Sequence, residues 1–311
     1  MGATRLSCLT TAQTRQHTAR ASTVAVCSVT LAALLSGCVA VAPVALERPR
    51  AVVAPAVVDG VPASMQYLYG SGEAAAISAQ AWRGIADWGV AAARRRPRDS
   101  VVLDDQATLA APSFVPCGAK PLAAVFDVDE TVALNLGFER DAAGGRPYEQ
   151  ARWRAYEITG GTTARAVPGA VDAIRRLRAS GITIVFNTNR SAENAAATSA
   201  MLDRLGLGPT RLGDTLYLAD ASTSSAKDSR RARVAARYCV VAMGGDQLGD
   251  FSDLFNAGLT PGARRAATEA PAIARLWGAG WFVLPNPVYG TALKGRLDEV
   301  FPADSAWAPE P

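Results

Sequence analysis

"LAAVFDVDET", residues 122 to 131, carries five apolar side chains into two aspartates one residue apart, Asp127 and Asp129. A short continuous apolar run bounded by polar residues reads as a strand buried on both faces. Its end delivers two carboxylates to one place, where like charges repel. Four more runs of this kind follow: "ITIVFN" at 182–187, "TLYLA" at 215–219, "CVVAMG" at 239–244 and "WFVLP" at 281–285. Between the runs lie helical patterns at about 168–179, 191–205, 225–237 and 248–257. Apolar strands alternating with helices predict an α/β fold, a parallel sheet with helices on both faces. In such sheets the ligand site lies beyond the carboxyl ends of the strands. Four of the runs end in polar clusters there: Asp127 with Asp129, Thr188-Asn189-Arg190, Asp220, and Gly245-Asp246 with Asp250.

With 311 residues, 49% of them hydrophobic, the chain is long enough for one large domain, or one with an insertion. The formal charge of +4 includes Arg5, Arg15 and Arg20 from an acid-free segment, residues 1–37, so the remainder sits near +1. That balance gives no electrostatic footprint for nucleic acid. The only histidine, His17, falls in the same segment. The rest of the chain therefore cannot run a Ser-His-Asp, Cys-His or phosphohistidine mechanism, or build a histidine-ligated zinc site. Its chemistry must come from carboxylates, lysine or arginine, hydroxyls and a hard metal.

Near the N-terminus, "STVAVCSVTLAALLSGC" at 22–38 is too short for a spanning helix and reads as an export signal. Its end, Leu35-Ser36-Gly37-Cys38, resembles the lipobox of bacterial lipoproteins, in which the cysteine is lipidated and becomes the new N-terminus; an ordinary signal with a chance cysteine is the alternative. The organisation expected is a signal over 1–37, a flexible Ala/Val/Pro-rich tether over 38–62 and one domain over 63–311. Tyr67, Ile77, Trp82, Ile85 and Trp88 are spaced for an amphipathic helix from about Ser64 to Arg96. Cys117 and Cys239 either pair or stay buried thiols, and the residues leave that open.

"DVDET", "NTNR", "SAK" and "GDQLGDFSD" together resemble the four motifs of the haloacid dehalogenase (HAD) superfamily of aspartate-nucleophile phosphohydrolases. More narrowly, "FDVDETVALN", "RAVPGAV", "VFNTNR", "GDQLGDFSD" and "LPNPVYG" are similar to the class C acid phosphatases and the lipoprotein e 5′-nucleotidase group. The resemblance runs from about Tyr67 to Val300 and implies a HAD-like Rossmannoid sheet with a small helical cap, here inserted at about 132–167. It also implies a phosphomonoesterase, which the lipobox-like segment ending at Cys38 would export and tether by lipid in the bacterial cell envelope, at the outer membrane or periplasm if the cell is Gram-negative.

On that reading Asp127 attacks phosphorus to give an aspartyl-phosphate. Asp129 protonates the leaving oxygen and then deprotonates the attacking water. A halide leaving group needs no proton, so Asp129 favours phosphate esters over carbon–halogen bonds. Mg2+ suits the oxygens of Asp127 and Asp246 and the Asp129 backbone carbonyl, with Asp250 just behind. Thr188 and Asn189 would hold phosphoryl oxygens. Lys227 is one of only three lysines, with Lys120 and Lys294, in a chain that otherwise writes arginine. Its retention points to a compact charge between nucleophile and phosphate.

Within the insertion, Phe138, Tyr148, Trp153 and Tyr156 either stack a nucleobase or aryl group or form the cap's own core. Tyr289 either closes the site or belongs to a turn. The function expected is Mg2+-dependent hydrolysis of a small phosphomonoester, a nucleotide or aryl phosphate. The alternatives are phosphotransfer by a transferase or mutase of the same fold, or a non-catalytic envelope lipoprotein.

Overall fold

The computed structural model describes residues 60–220 and 225–308. The expected signal segment, the lipidation residue Cys38 and the tether as far as residue 59 lie outside the described residues. Helix α1 spans Gly72–Arg95 and starts at Ser71, whose Oγ accepts from the Ala74 N–H at 3.1 Å. Ser71 takes extended backbone angles to do this, so the single helix expected from Ser64 is split, with a separate π-helical turn over Gln66–Gly70. Trp82, Ile85, Gly89 and Ala92 share the buried face of α1, and Trp88 Nε1 donates to the Val241 carbonyl at 2.8 Å. A Cβ on Gly89 would come within 2.3 Å of Leu177 Cδ2, so any side chain there would force Leu177 to move from its place against α1.

A hairpin that the apolar runs do not announce follows, β1 (Asp99–Leu103) paired antiparallel with β2 (Phe114–Pro116). The five expected strands are β3 (Leu122–Phe126), β4 (Thr183–Ser191), β5 (Leu216–Ala219), β6 (Cys239–Gly245) and β7 (Trp281–Val283). They form one sheet in the order β5-β4-β3-β6-β7, every pairing parallel. Successive residues of β3 feed opposite layers. Ala124 and Phe126 pack with Trp82, Ile85, Ile174 and Leu177, whereas Ala123 and Val125 pack with Val234, Phe251 and Trp281. Both faces are therefore dry, and each fully buried large side chain contributes about 2 kcal/mol by removal from water.

Phe126 lies opposite Phe186 on one side and Gly244 on the other. The residues just beyond these three, Asp127, Thr188 and Asp246, thus emerge at the same edge of the sheet. The segment expected as the cap folds as α2 (Leu136–Ala143) and α3 (Gln150–Thr159), and its two ends are held together where Ala133 pairs with Ala166 and Leu134 with Arg165. Helices α4 (Ala170–Ala179), α5 (Ala195–Arg204) and α6 (Asp228–Arg237) follow the sequence pattern.

The helix expected at 248–257 is instead two 3-10 turns, Leu248–Asp250 and Asp253–Asn256. Side chains win over the helical ladder there: Asp250 Oδ2 accepts from the Gln247 N–H at 2.9 Å and Ser252 Oγ from the Leu254 N–H at 3.2 Å. Cys117 and Cys239 form a disulfide, which ties the loop before β3 to the start of β6.

Candidate active site

The buried strand β3 ends at Phe126, and the Asp127 N–H completes the ladder by donating to the Gly244 carbonyl at 3.0 Å. That bond fixes where the Asp127 carboxylate leaves the sheet. Lys227 caps the start of α6, with its N–H held by the Asp253 carboxylate at 2.9 Å. Its Nζ donates to Asp127 Oδ1, and to Asp250 Oδ1 at 2.7 Å. Asp246 leaves the end of β6, its Oδ1 accepting from Thr131 Oγ1 at 3.0 Å and its Oδ2 from Asn286 Nδ2 at 2.7 Å. Asp127, Asp246 and Asp250 each bring a carboxylate oxygen within 4.8 Å of the others, and all three residues are at most 9% exposed.

One ammonium among three buried carboxylates leaves the cluster short of positive charge. Burial raises the Asp127 pKa well above its ordinary value against the pull of Lys227, and Asp250, Asp246 and Asp129 push it the same way. Burial, then Asp250, raises Asp246 to about 6. Burial alone would lower the Lys227 pKa, but Asp127 and Asp250 outweigh it, and the ammonium is held. A dry, oxygen-only, under-neutralised cluster fits a hard divalent cation, and HAD phosphatases generally use one.

Asp129 stands on the opposite wall. Its Oδ1 accepts from Arg190 Nε at 2.8 Å and from Asn135 Nδ2 at 2.9 Å, while among the described residues Oδ2 meets Thr188 Oγ1 at 3.4 Å. The next residue, Glu130, adopts φ +55, an uncommon conformation for a non-glycine residue. It is held there by its own N–H to the Ala133 carbonyl at 2.8 Å, by the Asn135 N–H donating to Oε1 at 2.8 Å and by the Tyr289 hydroxyl donating to Oε2. Burial, then the Asp129 charge, raises Glu130 to about 8 and Glu139 to about 7.

Thr188 is fully buried, and its Oγ1 also accepts from the Arg190 N–H at 3.1 Å. Asn189 is exposed, with Nδ2 on the Ser225 carbonyl at 3.1 Å and Oδ1 on Arg230 at 2.5 Å, so in this structure its side chain ties β4 to the segment leading into α6.

The structure thus brings Asp127, Asp129, Thr188, Asn189, Lys227, Asp246 and Asp250 to one edge of the sheet. Arg190, Glu130, Asn135, Asp253 and Asn286 join the site only in the structure: Arg190 is one of many arginines in the chain, and an asparagine or glutamate in a loop carries no signal of its own.

Above the acids lies a cavity of about 1190 Å³ with Asp127, Asp129, Lys227 and Asp246 among its lining residues. The cap aromatics divide. Phe138 and Tyr156 are buried, and Phe138 makes ring contacts to Tyr148, Trp153 and Tyr156 at centroid distances of 6.1, 5.0 and 5.5 Å, so these rings form a small core. Tyr148, 60% exposed, and Trp153 also line the cavity, as does Tyr289.

Residues 75–292 match the family model for the HAD superfamily, subfamily IIIB (acid phosphatase). Among solved structures, the chain is similar to the class C acid phosphatase from Bacillus anthracis, with TM-score 0.58 and 24% identity over 74% of this chain and 84% of that one. A second structure, the class C acid phosphatase from Bacillus anthracis with tungstate bound, aligns with TM-score 0.57 and 23% identity over 76% of this chain and 92% of that one. No curated protein matches the sequence. At these identities the two structures carry the fold; the family model spans most of the chain, including every acid of the site. The chain belongs to HAD subfamily IIIB, the acid phosphatases, and is a phosphatase.

Proposed function

We propose that the protein is a Mg2+-dependent phosphomonoester hydrolase that works through an aspartyl-phosphate on Asp127. The observation that carries the reading is Lys227 Nζ seated between Asp127 and Asp250 at the end of the central strand. A cation there favours the ionised form of Asp127 against burial and offsets the approach of a phosphate dianion. An Asp127 oxygen bonds to phosphorus as the ester P–O bond breaks, and Asp129 gives its proton to the departing alcohol. In the second half Asp129 takes a proton from water, the water oxygen bonds to phosphorus, and inorganic phosphate leaves Asp127 free. Thr188 Oγ1 steadies a transferring oxygen, while the Asn189 amide, engaged by Ser225 and Arg230, holds the loop beside it rather than the phosphoryl oxygens. Asp127, Asp246 and the Asp129 carbonyl, with Asp250 alongside, would hold Mg2+, which would supply positive charge near the transferring phosphoryl group.

Tyr148, Trp153 and Tyr289 around the cavity suit a flat leaving group, an aryl phosphate or a 5′-nucleotide. Export, with a lipid anchor at Cys38, would put the enzyme in the cell envelope facing small exported esters. A panel of phosphomonoesters assayed with and without chelator tests this reading. Phosphate release that stops on chelation and returns with Mg2+ is expected, as is a folded but inactive Asp127→Asn variant. Full activity in that variant would sink the mechanism.

A further inference from the structure

Arg190 is only 1% exposed and its guanidinium faces the second aspartate, not the cluster around Asp127. Nε and Nη2 both lie 2.8 Å from Asp129 Oδ1, and Nη2 also donates to Asn135 Oδ1 at 2.7 Å. Asn135 Nδ2 in turn donates to the same Asp129 oxygen, which closes a three-residue ring. The face of Arg190 is covered by the cap: its guanidinium carbon sits 5.3 Å from the centre of the Trp153 ring. One turn along α3, the Glu157 carboxylate accepts from the Ser191 N–H at 2.9 Å and from Asn194 Nδ2 at 2.7 Å, fastening the cap to the end of β4 beside Arg190.

We infer that Arg190 is a positioning residue for proton transfer: by saturating Asp129 Oδ1 it turns Oδ2 toward the substrate and makes Oδ2 the oxygen that carries the proton. A carboxyl oxygen that already accepts from two N–H groups and lies 2.8 Å from a third guanidinium nitrogen atom is a poor place for a proton. The other oxygen, with one long contact to Thr188, is the one free to take it and pass it on. The planar fork of arginine places two nitrogens on Oδ1 and a third bond on Asn135, which a lysine ammonium does not reproduce. Trp153 limits the rotamers open to that fork, so the cap helix that lines the substrate cavity also sets the aim of the acid. This inference rests on the reading of Asp129 as the proton carrier.

That dependence yields a test. Nitrophenolate departs without a proton, whereas an alkoxide does not, so misaimed proton transfer penalises alkyl phosphates selectively. For the wild type, Arg190→Gln, Arg190→Lys and Asp129→Asn, kcat/KM, which reports the half-reaction in which the alcohol leaves, is measured on p-nitrophenyl phosphate and on an alkyl phosphate with the full chain in saturating Mg2+. The ratio of the two rates on one preparation is independent of how much of it is folded.

Arg190→Gln should lower the alkyl-to-aryl ratio of kcat/KM at least tenfold, and Arg190→Lys should recover part of it. An unchanged ratio, or total loss of both activities in Arg190→Gln and Arg190→Lys alike, overturns the inference. If Asp129→Asn itself leaves the ratio unchanged, the proton-carrier reading fails instead. If Asp129→Asn shifts the ratio and Arg190→Gln does not, only the role of Arg190 falls.

Discussion

Removing the divalent cation should make the protein lose stability as the pH rises, and Asp246 contributes one part of the effect alongside Asp127, Glu139 and Glu130. Its carboxyl is raised from an ordinary 3.8 to about 6. That is about two pKa units, or about 3 kcal/mol at 1.36 kcal/mol per unit. The folded chain keeps this proton to a higher pH than the unfolded chain does, so between the two values the unfolded state binds fewer protons and stability falls. The contribution is complete below the unfolded value and gone above about 6.

For a domain of this size about 3 kcal/mol corresponds to about 6–12 °C in Tm. Melts followed by circular dichroism in chelator, from pH 4 to 7.5, should show the decline for the wild type. Asp246→Asn, which cannot titrate, should show a decline smaller by that amount. Mg2+ at pH 7.5 should raise the wild-type Tm, because the ion binds the folded, ionised cluster. Parallel pH profiles for the two proteins would show that Asp246 is not held protonated by its surroundings.

Two further perturbations address the same architecture. Lys227→Met leaves Asp127 and Asp250 without their ammonium and should cost about 3–5 kcal/mol by urea titration near neutral pH, because one member of a buried ionic group is left uncompensated. The same variant should lose about 10²–10³-fold in kcat by initial rates, the scale of removing one transition-state charge partner. Reducing the Cys117–Cys239 bond, whose ends are 122 residues apart, should lower stability by about 2–5 kcal/mol with the strands of the sheet still formed, as denaturant curves with and without reductant would record.

The sheet was legible because its strands are buried on both faces and so appear as unbroken apolar runs. "LAAVF" and "CVVAMGG" are buried at every position, which no helix of that length on a polar surface would show. The β1–β2 hairpin was not legible, because its strands are short and only half covered. It is held by contacts that local pattern cannot reveal, such as Trp281 Nε1 donating to the Val101 carbonyl across 180 residues. The 248–257 segment misled because its apolar spacing is helical, yet its acids and serine bond the backbone more favourably in turns.

In the site, the acids stood out because they follow strands directly, and Lys227 because lysine is scarce here. Arg190 had no such contrast in an arginine-rich chain. Glu130 owes its place to a left-handed backbone angle and to Tyr289, 159 residues away. Both are products of tertiary structure, so the sequence around Glu130 gave no local sign of them.

Whether Asp127 becomes phosphorylated can be read directly. The wild-type enzyme is mixed with excess phosphomonoester and Mg2+, quenched in acid during turnover, reduced with borohydride and digested for mass spectrometry. An acyl phosphate at Asp127 would be converted to homoserine at that position, at a level that rises with substrate and vanishes on chelation. Homoserine at a different carboxylate, or none anywhere while phosphate is released at full rate, would contradict Asp127 as the nucleophile.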